Sequence, residues 1–555
     1  MPWPKPPEGD FMAVTPVNAT TLGDFLLRSA QHWPDNTALV FADTRLSYGE
    51  LYQAAFDKAR LLQGLDVGVN DHVGILMSNC PEAVEWLFAT ALSGAVAVMI
   101  NARYKAHELA YVLGNADITT LIAGTGDNQP ADYIGLLCEI YPQLQAGGAA
   151  PSLPEAPLLT AIITTGTETP PDNGLFVAET ELMASGTRVS ISAANARRAS
   201  LPLDQSCLMM YTSGTTANPK GCPLSHEMVT RKAFTIADRL LFQEEDRQWN
   251  PLPLFHLASI MPMLASFSVG SCYLTDTHFE AGAAWEQILG ERASVLYPAF
   301  PTIMSDLVTH PLFAQLDPAQ IRLINNVAPP ERLLANMKLL PKTLHVSAYG
   351  LTEGTGLSCY SNPEDDDATR AQVIGTPLPG TLVRIVDPST GCELPAAAAG
   401  ELQISGYSVF RGYYKAPKAT REAFTADGWF RTGDICSLDE HGRISYRGRL
   451  KDTFKVGGEN VSALEIESFL STHPAVKFVQ AVGVPDPRLE EVVAVFVELN
   501  PGAACNDQQI MDFCKGRISS FKVPRYVEFV TEWPMSATKV QKFSLRDKLI
   551  TRLNL

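Results

Sequence analysis

The segment YTSGTTANPKG, residues 211–221, lies between the apolar run CLMM (207–210) and CPLSH (222–226). A strand signal thus runs into a short loop crowded with the hydroxyls of Thr212, Ser213, Thr215 and Thr216, with Gly214 and Gly221 and with Lys220. Hydroxyls and successive backbone N–H groups can hold phosphate oxygens, and a lysine adds a point charge. The segment is not the usual phosphate loop, because Pro219 stands directly before Lys220 where the pattern G-x-x-x-x-G-K-[ST] requires glycine. Alone, it reads equally well as a polar turn.

The chain around it has 555 residues, too many for one core, with 46% apolar and 19% charged residues, the balance of a folded soluble protein. Its longest apolar run, WLFATALSGAVAVMI (86–100), is shorter than a membrane span and contains Ser93 and Gly94, so it reads as a buried helix feeding a strand. No transmembrane segment is expected, and MPWPKPPEGDFMAV has no basic-then-apolar leader pattern. The ten cysteines are scattered without a CxxC pair or a His/Cys cluster, which indicates neither zinc nor a disulfide framework and places reduced thiols in the cytoplasm. The net charge of −17 lies entirely before Leu450; from there on, 13 basic residues balance 13 acidic ones. An acidic body argues against a nucleic-acid partner, while a neutral segment beside it could suit a large anionic ligand held between the two. Ordinary variation of the surface explains the same asymmetry.

From about residue 20 to 200 the pattern alternates helices with short apolar strands: TLGDFLLRSAQHWP behind Thr21 as a cap, TALVF, HVGILM, EAVEWLFATALSGA and AVAVMI. This predicts α/β layers with much parallel sheet. Residues 143–200 are rich in loop signals and are expected to be variable connections. A second α/β run covers about 205–345, including SVLYPAF and IRLINNVAPP, and strand signals dominate 370–447 (LVRIVD, GELQISG, GRISYRG). After the charged turn GRLKD, ALEIESFLSTHP and QIMDFCKGRIS read as helices, and FVQAVGV and VVAVFVEL as strands. The fold class is therefore α/β: a large N-terminal domain of layered subdomains with a β-rich subdomain, and a small α+β C-terminal domain.

The company of the opening loop decides its meaning. Downstream stand, in order, YGLTEGTG (349–356), WFRTGDI (429–435), GRLKDTFKVGGENVSALEIE (448–467) and PMSATKVQK (534–542). This ordered set resembles the adenylate-forming superfamily of acyl-CoA synthetases, luciferases and peptide-synthetase adenylation domains, from about residue 22 to 548. The resemblance implies attack of a carboxylate on the α-phosphate of ATP, giving an acyl-AMP and pyrophosphate, catalysed mainly by positioning and electrostatic stabilisation. It implies that Thr212, Ser213, Gly214, Thr215, Thr216 and Lys220 embrace the β- and γ-phosphates. Tyr349, beside Gly350, would stack on adenine, Thr352 would bond the α-phosphate and Glu353 would hold Mg2+, a hard cation content with one carboxylate and several waters. Asp434 is the expected ribose carboxylate, joined by Arg449. Val327, Ala328 and Pro329 align with the adenine wall, but Asn325 and Asn326 stand where glycines are usual. Ala217 also replaces a frequent glycine; alanine resists positive φ, so a negative φ, or a loop mobile until ATP binds, is expected there.

The resemblance divides the chain into an AMP-binding domain, 1–449, and a mobile domain, 450–555, with the hinge at Lys451. The small domain would rotate between adenylation and thioester formation, bringing Gly457 and Gly458 beside the pantetheine arm of coenzyme A, where absent side chains permit close approach; a hairpin turn explains the same glycines. Lys455 is the candidate for a coenzyme A phosphate contact. Relatives commonly read T-G-K-[IV]-x-[KR] near the C-terminus; here Thr538-Lys539-Val540-Gln541-Lys542 lacks the glycine, and the register places the adenylation lysine at Lys539 rather than Lys542. His256 in PLFHLASIM, Phe300 in YPAFPTIM, and Gly354, Thr355 and Gly356 would shape the acyl pocket. Amino-acid-activating relatives place an aspartate where His256 stands, which argues against an α-amino acid. The expected activity is an ATP- and Mg2+-dependent acid–CoA ligase for a fatty, aromatic or alicyclic carboxylate. The sequence leaves a homodimer, a carrier-protein-loading enzyme, a luciferase-like oxidation and a non-catalytic nucleotide-binding relative open as alternatives.

Overall fold

The computed structural model of the chain describes residues 19–42, 44–126, 129–146, 148, 150–166, 171–186, 188–212, 218–456, 459–536 and 539–554. The N-terminal helices begin where the sequence caps them. The Thr21 hydroxyl accepts from Asp24 N at 3.1 Å to start the helix Leu22–His32, and Ser47 with Glu50 closes a reciprocal cap on Tyr48–Gly64. The apolar run at 86–100 divides as expected. Helix Pro81–Ser93 is buried on nearly every side, Gly94 takes the left-handed φ of +86°, and the chain re-enters as the strand Val96–Met99. A Cβ at Gly94 would also lie 2.8 Å from Leu201, so only glycine fits that corner.

Two seven-stranded sheets form the body. One runs, in spatial order, Leu344–Val346, Leu323–Asn326, Val295–Ala299, Arg247–Trp249, Cys272–Thr275, Thr37–Phe41 and Thr44–Ser47, parallel except for the last pair. The other runs Phe176–Ala178, Ala161–Thr165, Ile118–Gly124, His72–Leu76, Val96–Met99, Ser206–Thr212 and Lys220–Ser225, again parallel except at its last edge. Their facing side chains, such as Val295, Leu323 and Val346 from one and Val73, Ile75 and Met209 from the other, share a core with helices His226–Arg239 and Leu257–Ser268. The stretch 143–200 is not only connection: Ala161–Thr165 and Phe176–Ala178 are the last two strands at one end of the second sheet. Both are short, and polar turn residues surround them, which hides their period.

Beyond the sheets, Thr381–Val386, Ala399–Gly406, Phe430–Leu438 and Ile444–Arg449 make the expected antiparallel β-rich layer. From Thr453 on the chain builds a separate five-stranded sheet, ordered Glu459–Ser462, Thr453–Val456, Glu490–Leu499 and Val476–Asp486, with Tyr526–Phe529 alongside Glu490–Leu499. The period of two in VVAVFVEL is used on both faces. Val493, Val495 and Val497 pack with Ile466, Leu470 and Ile510, while Val492, Ala494 and Phe496 pack with Leu545 and Leu549. This unit touches the body where the Ser462 hydroxyl donates to the Arg447 carbonyl at 2.8 Å and Arg332 donates to the Lys477 carbonyl at 2.9 Å. No described helix is long and apolar enough to cross a membrane.

One buried cation joins the body to the β-rich layer. Lys232, on helix His226–Arg239, has no exposed surface and donates to Thr381 Oγ1 at 3.1 Å. Burial, helped by the neighbouring Arg231, lowers its pKa to about 7, with only Cys359 acting against the shift. Its folded value lies below the unfolded one. Above about pH 7 and up to the ordinary lysine range, the unfolded chain therefore binds more protons and stability rises with pH. The melting temperature of the wild type, relative to that of Lys232→Met, is expected to climb between about pH 7 and pH 9.5; parallel pH profiles for the two proteins would contradict this account.

Candidate active site

The carboxyl ends of three neighbouring strands in the first sheet lead into the candidate site, the usual place for a ligand in an open parallel sheet. Val295–Ala299 runs into Phe300, Leu323–Asn326 into Val327, Ala328 and Pro329, and Leu344–Val346 into Ala348–Tyr349 and the YGLTEGTG segment. That segment is held by close backbone packing. A Cβ on Gly350 would sit 1.6 Å from the Gly356 carbonyl oxygen, so the two strands of the loop can approach only through a glycine. Thr352–Gly354 forms a single 3-10 turn, and Thr355 follows at φ +59° with its hydroxyl donating to the Ser408 carbonyl at 2.6 Å.

Asp434 and Arg449 face each other across the antiparallel pair Phe430–Leu438 and Ile444–Arg449. The Asp434 carboxylate is buried; the Tyr349 hydroxyl donates to its Oδ2 at 2.6 Å, and Arg449 Nε lies 3.2 Å from its Oδ1. Burial and then the Asp434 charge hold the Tyr349 phenol far above its ordinary pKa, so it stays a donor. For Arg449 burial is the largest influence and acts downward, but Asp434, Tyr446, Asp452 and Tyr349 together outweigh it and the pKa is raised. Tyr446 flanks Tyr349 with ring centroids 6.3 Å apart. One clamp therefore ties three of the expected nucleotide residues together.

A second group joins the opening loop to Glu353. Thr212 and Lys220 face each other at the ends of Ser206–Thr212 and Lys220–Ser225, with the Thr212 hydroxyl donating to the Lys220 carbonyl at 3.4 Å. Ser213, Gly214, Thr215, Thr216 and Ala217 lie outside the described residues. Lys220 Nζ stands 4.9 Å from the centroid of the Tyr413 ring, and the Tyr413 hydroxyl donates to Glu353 Oε1 at 2.7 Å. The Glu353 carbonyl accepts from Phe410 N, and the Gly221 carbonyl from Tyr414 N, each at 2.8 Å. Tyr413 is the member of this group that sequence reasoning missed; its signal is the pair of tyrosines in RGYYK (411–415). Among the described residues no three metal-ligating side chains cluster, so a divalent cation at Glu353 needs nucleotide phosphates to complete its shell. One carboxylate, held at Oε1 by the same Tyr413 whose ring lies under Lys220, fits that requirement.

Around the expected acyl pocket, His256 is the N-cap of Leu257–Ser268 and its ring lies 4.8 Å from that of Phe255. Phe300, the N-cap of Pro301–Thr309, packs with Leu252, Ala258, Tyr297 and Ala299. Ala328 packs against Leu333, Met337 and Ala371. Lys451 sits in the 3-10 turn Leu450–Asp452, where burial and then Arg449 lower its pKa. Lys455 is exposed on Thr453–Val456, while Gly457 and Gly458 lie outside the described residues. Lys539 opens a two-residue strand paired with Met535–Ser536, and only its backbone is described. Lys542 Nζ is engaged by Glu467 Oε1 at 2.6 Å and has Asp452 at 3.9 Å.

Known proteins resemble this chain over most of its length. The family profile described as AMP-binding enzyme matches residues 26–414, and the one described as AMP-binding enzyme C-terminal domain matches 465–539. YngI of Bacillus subtilis (strain 168) is 35% identical over 545 residues, covering 97% of this chain and 98% of that protein. The mitochondrial medium-chain acyl-CoA ligase ACSF2 of Bos taurus is 33% identical over 548 residues, covering 96% and 88%. Among solved structures, the anthranilate CoA ligase AuaEII in complex with anthranoyl-AMP superimposes with a TM-score of 0.84 at 25% identity, covering 98% of this chain and 99% of that one. The fold and the site define an adenylate-forming enzyme. This chain belongs to the AMP-binding enzyme family, in its acyl-CoA synthetase branch.

The role of Tyr413 can be measured directly. Tyr413→Phe keeps the ring beneath Lys220 but frees Glu353, and a hydrogen bond to a charged group contributes about 1.5–3 kcal/mol. The variant is expected to need roughly tenfold more Mg2+ for half-maximal ATP consumption, with Tyr413→Ala more severely affected. An unchanged Mg2+ dependence in Tyr413→Phe would contradict a carboxylate-holding role.

Proposed function

We propose that the chain is an ATP-dependent acid–CoA ligase that forms an acyl-AMP from a carboxylic acid and ATP, releases pyrophosphate, and then transfers the acyl group to coenzyme A, releasing AMP. The observation that carries this reading is the Asp434 clamp, a buried carboxylate held by Tyr349 and Arg449 beside the linked pair Glu353 and Lys220. Asp434 would accept from the ribose hydroxyls with Arg449 fixing its orientation. Tyr349, Gly350, Ala328 and Pro329 would enclose the adenine. Thr212, Ser213, Gly214, Thr215, Thr216 and Lys220 would grip the pyrophosphate leaving group, and Thr352 would bond the α-phosphate. Glu353 would hold Mg2+, which when bound supplies charge to neutralise the phosphates.

The acid would lie between His256, Phe300, Gly354 and Thr355. The medium-chain activity named for ACSF2 and the aromatic acid named for AuaEII both support a fatty, aromatic or alicyclic carboxylate. We place the domain boundary at 449/450 with the hinge at Lys451, and assign Gly457, Gly458 and Lys455 to the coenzyme A approach in the rotated state. The adenylation lysine in this reading is Lys539. Its support is the motif register together with the engagement of Lys542 by Glu467 within the C-terminal unit. The proposed compartment is the cytoplasm.

Lys539→Ala is expected to lose acid-dependent pyrophosphate release by at least about a hundredfold, the scale of one lost transition-state contact, while still converting preformed acyl-AMP and coenzyme A to thioester. The same pattern from Lys542→Ala instead would move the role to that residue. Acyl transfer to a phosphopantetheinyl carrier protein with little turnover of free coenzyme A would replace the ligase reading by that of a carrier-loading enzyme.

A further inference from the structure

Lys232 is buried at a place where packing gives no reason for a charge. It lies on helix His226–Arg239, and its ammonium donates to the neutral Thr381 Oγ1 at 3.1 Å. Around it stand Arg231 on the same helix, the Cys359 thiol on the short strand Cys359–Tyr360, and the Tyr407 ring that follows Ala399–Gly406. Among the described residues no carboxylate balances it, since the nearby Glu227 is engaged by Arg231. A buried lysine with a neutral partner costs stability, and a methionine would fill the same space without that cost. Such a group calls for a role other than holding the fold together. Its contacts supply one. Thr381 Oγ1 lies 3.3 Å from Ser408 Oγ, and the adjoining Tyr407 ring centroid is 3.9 Å from the Arg231 guanidinium and 5.6 Å from Lys232 Nζ. Ser408 opens a segment that grips the turn Thr352–Gly354 and the residue after it at three points. The Ser408 carbonyl accepts from the Thr355 hydroxyl at 2.6 Å, Phe410 N donates to the Glu353 carbonyl at 2.8 Å, and the Tyr413 hydroxyl donates to Glu353 Oε1 at 2.7 Å. Thr355, at φ +59°, keeps that conformation only where its surroundings impose it.

We propose that Lys232 is a positioning residue for acyl adenylation: acting through Thr381 and Ser408, it holds the 408–413 segment against the turn that carries Thr352 and Glu353. The inference rests on the ligase reading and adds to it a residue that touches neither nucleotide nor acid. A small displacement of groups that must meet a reacting phosphate lowers the rate of the chemical step. The Asp434 clamp, built on other bonds, keeps its grip on the ribose whether or not Lys232 is present.

The test is acid-dependent pyrophosphate release by the full-length chain, with the best used of octanoic, benzoic and cyclohexanecarboxylic acids, beside calorimetric titration with AMP and thermal melting in neutral buffer. Lys232→Met fills the same space without the charge, and Thr381→Val removes the middle hydroxyl. Each is expected to lower kcat by about tenfold with AMP binding and the KM for ATP unchanged. Lys232→Met is expected to melt no lower than the wild type. The double variant is expected to fall no further than the lower single one, because both act along one path. Wild-type kcat in both variants overturns the proposal and leaves the ligase reading standing. So do losses that multiply in the double variant, or that follow a fall in AMP binding and melting temperature, which would assign Lys232 to the fold alone. Should Lys232→Met fail to fold, kcat and AMP binding of Thr381→Val decide. A wild type that binds AMP but releases pyrophosphate with none of the three acids overturns the ligase reading for fatty, aromatic and alicyclic acids, and the inference with it.

Discussion

The candidate site depends on one buried charge. Asp434 is withdrawn from water on a central strand of the β-rich layer, and an isolated carboxylate there would be costly. Its partners come from separate parts of the chain: Tyr349 from the end of the first sheet, and Arg449 from the strand that leads into the C-terminal unit. Satisfying that charge therefore fixes the YGLTEGTG segment against the β-rich layer, and places the segment before Lys451 within reach of both. A nucleotide ribose would meet an acceptor whose orientation is already set.

The same logic of satisfied polar groups runs along the seam between body and β-rich layer. Lys232 donates to Thr381, Thr381 Oγ1 lies 3.3 Å from Ser408 Oγ, and the Ser408 carbonyl accepts from Thr355. Thr355 is held in a left-handed conformation that non-glycine residues rarely adopt, so the seam fixes a strained residue two positions after Glu353. On the other side of Glu353, Tyr413 takes hold of the carboxylate and lies against Lys220. Glu353 is thus positioned from two directions by residues far from it in sequence, Ser408 acting through Thr355 and Tyr413 acting directly.

Much of this was legible in the sequence because the elements are strongly patterned. The helix at 81–93, the strands ending at Ala299 and Asn326, and the two-faced strand Glu490–Leu499 carry periods and terminators that leave little choice. The strands Ala161–Thr165 and Phe176–Ala178 were not legible, since such short strands among glycine- and proline-rich turns have no period to read. Helix Asp507–Cys514 stops earlier than QIMDFCKGRIS predicts, Lys515 turning extended before Gly516. In the candidate site, the ordered motifs pointed to Tyr349, Glu353, Asp434 and Arg449, of which the fold joins Tyr349, Asp434 and Arg449 directly. Tyr413 escaped because its role exists only once distant segments meet. Asn325 and Asn326 were visible as departures from glycine, but their full burial is a property of the folded chain alone.

The central claim is that Asp434, with Tyr349 and Arg449, makes a nucleotide ribose site. Calorimetric titration of the full-length protein with AMP tests it without requiring turnover. Asp434→Asn keeps the shape of the side chain and removes its charge; it is expected to weaken AMP binding by about 1.5–3 kcal/mol, roughly ten- to a hundredfold. AMP bound equally well by wild type and variant would contradict the account.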